Sequence, residues 1–213
     1  MTAIFHYLSH FDTFLLDFIG RYGLWVYVII FAMIFAETGV IIVHFLPGDS
    51  LLFTAGVLCA VGAMSLPATL LVLAAAAMAG DTLNYFIGSR LGNVYERQER
   101  HRFIKREYYD KARGYFDRYG GLTVLFCRFI PMIRVFAPFI AGATKMRYRK
   151  FIEYNVLGGA LWVALITLGG FFLGRIPFVR ENFHYLLFAV FGASVALPLI
   201  VAGVRKLMGK KKD

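Results

Sequence analysis

The 213-residue chain is 59% hydrophobic, with a mean hydropathy of +0.65, yet its formal net charge is +10. That pairing excludes a disordered chain and argues against an ordinary soluble domain. Clustered Lys/Arg in a greasy chain reads as the cytoplasmic loops of an integral membrane protein, not as nucleic-acid binding.

Residues 1–21 are expected to form an amphipathic helix lying on the membrane, with Leu8, Phe11, Leu15 and Phe18 on one face and Ser9, Asp12, Thr13 and Asp17 elsewhere. This stretch lacks the basic start and apolar run of a cleavable signal peptide. The first apolar segment, 22–62, is interrupted. Leu24 to Leu46 is apolar apart from Glu37 and His44, and then "FLPGDSLLFTAG" puts Pro47, Gly48, Asp49 and Ser50 into the middle of the run. The piece that follows, Ser50 to Val61, reaches only about 18 Å as a helix, short of a hydrocarbon core of about 30 Å. It is expected to turn back as a re-entrant hairpin with Pro47-Gly48 at the tip and Asp49 or Ser50 capping the returning helix. A span at 67–90 follows, carrying Asp81, Asn84 and Tyr85 in "GDTLNYFIG".

The connector at 91–118 is basic; with Arg90 at its edge it holds nine Lys/Arg against five Asp/Glu, interspersed with aromatics. The segment 119–144 repeats the earlier interruption. It reads "CRFIPMIRVFAPFIAG", with Arg128, Pro131, Arg134 and Pro138 inside, and its arms are again too short to span. Spans at 151–174 and 182–204 and a basic tail at 205–213 complete the chain. Glu153, Tyr154 and Asn155 stand near the start of the first of these. Gly158-Gly159 and Gly169-Gly170 suit close helix packing.

Charge sets an expected orientation. The connector with Arg90, residues 145–150 and the tail hold 18 of the 23 Lys/Arg. With these segments cytoplasmic, the spans at 67–90 and 151–174 run in opposite directions, and each is preceded by an amphipathic stretch and a broken segment. The expected fold is an all-α membrane domain: an inverted repeat of amphipathic helix, re-entrant hairpin and transmembrane helix, plus a C-terminal transmembrane helix. Inverted repeats with broken helices near the midplane mark transporters. "LLFTAG" at 51–56 and "APFIAG" at 137–142 give a faint echo of the repeat.

Irregular backbone at membrane depth needs burial in protein or a wet cavity. The four intramembrane charges are two acids in one hairpin, Glu37 and Asp49, and two bases in the other, Arg128 and Arg134. Two readings stand. In the structural one, Asp49 is an N-cap and Glu37–Arg128 a buried ion pair that holds register. In the functional one, the hairpin tips meet at a water-accessible site, where Arg128 and Arg134 bind phosphate through bidentate hydrogen bonds and Glu37 and Asp49 carry protons. Such a set suits proton-coupled movement of a phosphate-bearing amphiphile. Asp81, Asn84, Tyr85 and Asn155, with Pro47, Gly48, Ser50 and Pro131, are supporting candidates, as polar packing or as gates. The connector and the tail are candidate contacts for anionic headgroups.

Other chemistry is disfavoured. There is no G-x-x-x-x-G-K-[ST] and no H-E-x-x-H. The five histidines, at 6, 10, 44, 101 and 184, offer no nucleophile-plus-base spacing, so no enzyme is expected. Cys59 and Cys127 imply neither a disulfide nor a metal site, and no cofactor is indicated.

At "ETGVIIVHFLPGDSLLFTAG" (37–56), "GDTLNYFIG" (80–88), "RFIPMIRVFAPFIAG" (128–142) and "YNVLGGALW" (154–162), the chain resembles the DedA family of bacterial membrane proteins and its relatives with the VTT domain. The resemblance implies two opposed re-entrant hairpins and movement of lipids between leaflets. Members include translocases that recycle undecaprenyl phosphate and others tied to phosphatidylethanolamine or to proton-motive-force-dependent tolerance of alkaline pH. The family's functional acids map onto Glu37 and Asp49, and its functional arginines onto Arg128 and Arg134. His44 stands where many members carry Pro or a small residue. The resemblance implies a multi-pass protein of the bacterial inner membrane, and the charge pattern puts its C-terminus in the cytoplasm. Its lipid partner is then undecaprenyl phosphate or a phospholipid, with protons as the coupling ion; a homo-oligomer is compatible with the chain. The alternatives are a proton-coupled antiporter for small cations supporting pH homeostasis, and a membrane organiser that transports nothing.

Overall fold

A computed structural model of the chain describes residues 21–39, 48–97, 118–130 and 133–176, together with Gly114 and Phe116. The described residues are helical and contain no strand. The six helices are α1 (Leu24–Gly39), α2 (Gly48–Ala60), α3 (Leu66–Arg97), α4 (Gly121–Cys127), α5 (Ile133–Ala143) and α6 (Tyr148–Gly174). The expected surface helix at 1–21, the tip residue Pro47 with His44, Pro131, most of the connector, the span at 182–204 and the tail lie outside the described residues.

Among the described residues two helices are long and apolar enough to cross a bilayer, Leu66–Gly92 of α3 and Tyr148–Gly174 of α6, each 27 residues with only a third buried. At 1.5 Å per residue, 27 residues cover about 40 Å, more than the hydrocarbon core needs. Leu71, Phe86 and Leu91 on α3 and Leu157, Leu161, Leu165 and Phe172 on α6 are large, apolar and exposed, which a water-soluble core helix does not show. Among the described residues the other four helices have 16, 13, 7 and 11 residues, shorter than a typical transmembrane helix.

The helices differ from the expected boundaries at their polar ends. α3 runs to Arg97, seven residues past the expected span, and α6 begins at Tyr148 instead of 151. Hydropathy ends where the lipid ends. The backbone continues while residues such as Val94, Tyr95, Glu96 and Arg97 accept helical geometry and no Pro intervenes.

Sharp local signals end the helices. α2 closes at Gly62, with φ of +80°: the Gly62 N–H donates to the Cys59 carbonyl at 3.2 Å and the Ala63 N–H to the Leu58 carbonyl at 3.0 Å. That is the six-to-one and five-to-two pattern of a glycine-terminated helix. Pro67 sits in the first turn of α3, where its missing N–H costs nothing. α5 ends with the same bond pattern at Lys145, with φ of +59°.

The chain divides into two compact units. Among the described residues, one unit holds residues 21–26, α2 with the turn after it, α3 as far as Thr69, and α6 from Ile166 on. Here α2 meets the end of α6 backbone to backbone: a Cβ at Gly56 would collide with the Thr167 carbonyl, and one at Gly170 with the Phe53 carbonyl. Leu52, Val57 and Thr167 are buried, and the Cys59 thiol donates to Thr69 Oγ1 at 3.3 Å.

The second unit holds α1 from Tyr27, α3 from Leu70, α4, α5 and α6 as far as Leu165. The short helices α4 and α5 pack on each other. α3 and α5 approach closely along one ridge, where a side chain at Gly88, Gly92 or Gly142 would strike the backbone of Phe139, Ala143 or Tyr85. Beside this ridge, Tyr85, Phe116, Val124, Ala141 and Phe151 form a buried cluster, with Tyr85 stacked on Phe151 at 4.5 Å between ring centroids.

Candidate functional site

The candidate site lies within the second unit, where α1, α3, α5, α6 and the turn after α4 converge. It is built from polar residues that three helices each present on one face. On α3, Met78, Asp81 and Asn84 follow one another at three-residue steps, so they stack on a single face. On α6, Asn155, Gly158, Gly159 and Trp162 follow i, i+3, i+4, i+7. On α1, Glu37 and Thr38 close the last turn.

Arg128, in the turn after α4, enters the slot between the α3 and α6 faces and is 6% exposed. It forms an ion pair with Asp81, and its Nη2 donates to Asn155 Oδ1 at 2.7 Å. The Asn155 amide in turn donates to the Met78 carbonyl at 3.1 Å, which fixes the orientation of its oxygen. Gly158 and Gly159 leave the room this guanidinium occupies: a Cβ at Gly159 would stand 3.1 Å from Arg128 Nη1. Arg134, in the first turn of α5, donates from Nη2 to Glu37 Oε1 at 2.8 Å. Glu37 is 1% exposed.

Asn84 ties the same helices through backbone. Its amide donates to the Val135 carbonyl at 2.7 Å and, more weakly, to the Thr38 carbonyl at 3.4 Å. Thr38 Oγ1 donates to the Ile34 carbonyl at 2.8 Å. Both arginines lie over one indole: the guanidinium carbon of Arg134 is 4.7 Å, and that of Arg128 5.9 Å, from the Trp162 ring centroid. Thr38, Asp81, Arg128, Arg134, Val135 and Trp162 line a small cavity.

A buried arginine, Arg128, and a partly buried one, Arg134, therefore line one cavity, and each is matched by a buried carboxylate. Removing one partner from such a pair strands a buried charge at a cost of about 3–5 kcal/mol. The arrangement holds cations in place and keeps each matched. It can accept an incoming anion only where that anion replaces a carboxylate, or where the carboxylate is neutralised by a proton.

The residues singled out in the sequence divide as follows. Glu37, Arg128, Arg134, Asp81, Asn84 and Asn155 come together. The partner of Arg128 is Asp81, and Glu37 pairs with Arg134, so the Glu37–Arg128 pair of the structural reading is not the one formed. Tyr85 belongs to the neighbouring aromatic cluster, where its hydroxyl donates to the Met146 carbonyl. Gly48, Asp49 and Ser50 form the first turn of α2 in the other unit; Asp49 stands where a negative charge favours the helix dipole, and Ser50 is buried. Gly158, Gly159 and Gly170 are close-packing positions, whereas Gly169 has nothing within 4 Å. Trp162 was not singled out, because an aromatic in an apolar span looks like lipid contact. Its seven-residue spacing from Asn155 was the available signal.

The all-helical described residues and the two long apolar helices are consistent with a membrane protein. The VTT domain model matches residues 46–172. The chain belongs to this family, the DedA family of membrane proteins. It is 39% identical over 201 residues to Protein DedA of Escherichia coli K12, covering 93% of this chain and 91% of that one. It is 41% identical over 180 residues to an uncharacterized membrane protein of Mycobacterium tuberculosis H37Rv, covering 83% and 78%. It is 40% identical over 157 residues to the inner membrane protein YghB of E. coli K12, covering 74% and 72%. No solved structure matches the chain.

Proposed function

We propose that this protein is a flippase-like translocase of the bacterial inner membrane that moves a phosphate-bearing lipid between leaflets, undecaprenyl phosphate or a phospholipid, with coupling to protons. The observation that carries the reading is the pair of arginines, Arg128 buried and Arg134 partly buried, that line a shared cavity and are each held by a carboxylate. Planar guanidinium forks match phosphate oxygens in a way a lysine point charge does not. No chemical step and no cofactor enter the proposal.

In this reading α1–α2 and α4–α5 are the two re-entrant hairpins of an inverted repeat, and α3 and α6 are the spans that follow them. A phosphate must compete with Glu37 for Arg134 and with Asp81 for Arg128. Protonation of a carboxyl removes that competitor, so lipid phosphate is taken up where protons are supplied and expelled where the carboxylate is restored. Each proton moving down one pH unit supplies about 1.4 kcal/mol, a tenfold bias. Glu37 and Asp49 are the proposed proton carriers. Anionic headgroups at the cytoplasmic face are the proposed partners of the basic connector and tail. The similar protein YghB is an inner membrane protein, which supports the location.

The antiporter reading is weaker, because Glu37 and Asp81 already face arginines and a cation would have to displace them. The test is reconstitution into liposomes, following leaflet exchange of undecaprenyl phosphate and of phosphatidylethanolamine with and without a pH gradient. Exchange that rises with the gradient supports the proposal. Cation-dependent proton flux with no lipid exchange overturns it in favour of the antiporter.

A further inference from the structure

The two arginines are usually the whole account of a phosphate site, but two guanidinium groups converging on one cavity repel each other and must be aimed. The carboxylates neutralise them without fixing where the forks point once a phosphate has taken the carboxylates' place. Something that stays in contact with both cations in either state is needed. Trp162 meets that description. It is 5% exposed, it lines the cavity, and both guanidinium carbons lie over its ring, at 4.7 and 5.9 Å. On the same face of α6, Asn155 grips Arg128, and Gly158 and Gly159 leave it room.

We propose that Trp162 is a positioning residue that holds Arg128 and Arg134 as one clamp on a single phosphate group. The inference rests on the lipid-phosphate reading above and adds to it the residue that makes two separate arginines act together. An aromatic face attracts a guanidinium through its quadrupole, more strongly when both are out of water, and indole is the strongest of the aromatic faces. Because the ring is neutral, it keeps both contacts whether the forks hold carboxylate or phosphate. α6 then supplies the fixed wall of the site, and the phosphate exchanges with Glu37 and Asp81 against that wall.

The test uses the full chain in detergent, with farnesyl phosphate as probe and farnesol as the phosphate-free control, titrated by calorimetry. Trp162→Leu is expected to weaken farnesyl phosphate binding by about tenfold and Trp162→Phe by about threefold, in proportion to the remaining cation–π attraction. A second readout separates aiming from mere stability. With Trp162 present, Arg128→Lys and Arg134→Lys are expected to be strongly non-additive, since either one breaks the clamp. In the Trp162→Phe background the two losses are expected to approach simple multiplication. Should Trp162→Leu fail to fold, the graded effect and the loss of coupling in Trp162→Phe still decide. Wild-type affinity and undiminished coupling in Trp162→Phe overturn the inference while leaving the lipid-phosphate reading standing. Equal binding of farnesyl phosphate and farnesol by the wild-type protein overturns that reading, and the clamp with it.

Discussion

A buried charge is stable only in company, and at residue scale this makes Asp81 as consequential as the arginine it faces. Arg128→Gln leaves Asp81 buried without its cation and is expected to destabilise the protein by about 3–5 kcal/mol. Adding Asp81→Asn to that variant removes the stranded charge and is expected to restore much of the loss. Thermal unfolding of the two single variants and the double in detergent measures the coupling; additive losses would show that the pair contributes nothing as a pair. For transport, Arg128→Lys and Arg134→Lys are each expected to lose most of the rate, because an ammonium does not replace a bidentate fork. Glu37→Gln is expected to keep phosphate binding but to lose its dependence on pH, since the amide resembles the protonated acid in charge. Unchanged pH dependence in Glu37→Gln, Asp49→Asn and Asp81→Asn alike would end the proton-switch scheme and leave the arginine site. Glu37, Arg128 and Arg134 were legible in the sequence because a charge in an apolar run has no bland place to go. Asp81 was visible, but its partner was not: one-dimensional order puts it 47 positions from Arg128, and only the packing of α3 against the turn after α4 joins them. Trp162 was hidden by its chemistry, which suits lipid as well as a cation.

At the scale of elements, the small residues set how closely helices approach, and neighbouring glycines do unlike jobs. Gly170 faces the Phe53 carbonyl with no space for a Cβ, whereas Gly169 faces open space. Gly170→Ala is expected to push α2 and α6 apart and cost about 1–3 kcal/mol. Gly169→Ala is expected to be neutral or to stabilise by up to about 1 kcal/mol, through helix propensity alone. Melting temperatures of the two variants make the comparison, and a larger loss at Gly169 would contradict the packing described. The glycine pairs were legible as packing motifs, but which member of each pair faces the neighbour depends on the rotation of α6 about its axis. Hydropathy does not report that rotation. The helix ends show a related limit: charge and hydropathy place the membrane boundary near Arg90, while α3 itself continues to Arg97, because water does not stop a helix.

For the whole molecule, the strongest constraint is the distribution of charge along the chain. Basic residues follow the apolar part of α3 and precede that of α6, and a basic tail closes the sequence. If these three segments stay in the cytoplasm, α3 and α6 cross in opposite senses. The N-terminal stretch, with Arg21 as its one Lys/Arg, is then expected on the outer side and the tail on the inner side. Cysteines placed at Ala3 and Lys210, in a background with Cys59→Ser and Cys127→Ala, test this with a membrane-impermeant thiol reagent on whole cells. Serine is chosen at 59 because it keeps a hydroxyl to donate to Thr69 where the thiol now does. The reagent is expected to modify position 3 at once and position 210 only after the cells are opened. Labelling of position 210 in intact cells would discard the orientation, and with it the inverted repeat. Labelling of neither position until lysis would place both ends inside, which requires an odd number of crossings to become even; the segment from Leu24 to Leu46 would then have to be a full span. The transport scheme depends on the outcome, because proton supply from the outer face has direction only if the site opens to known sides.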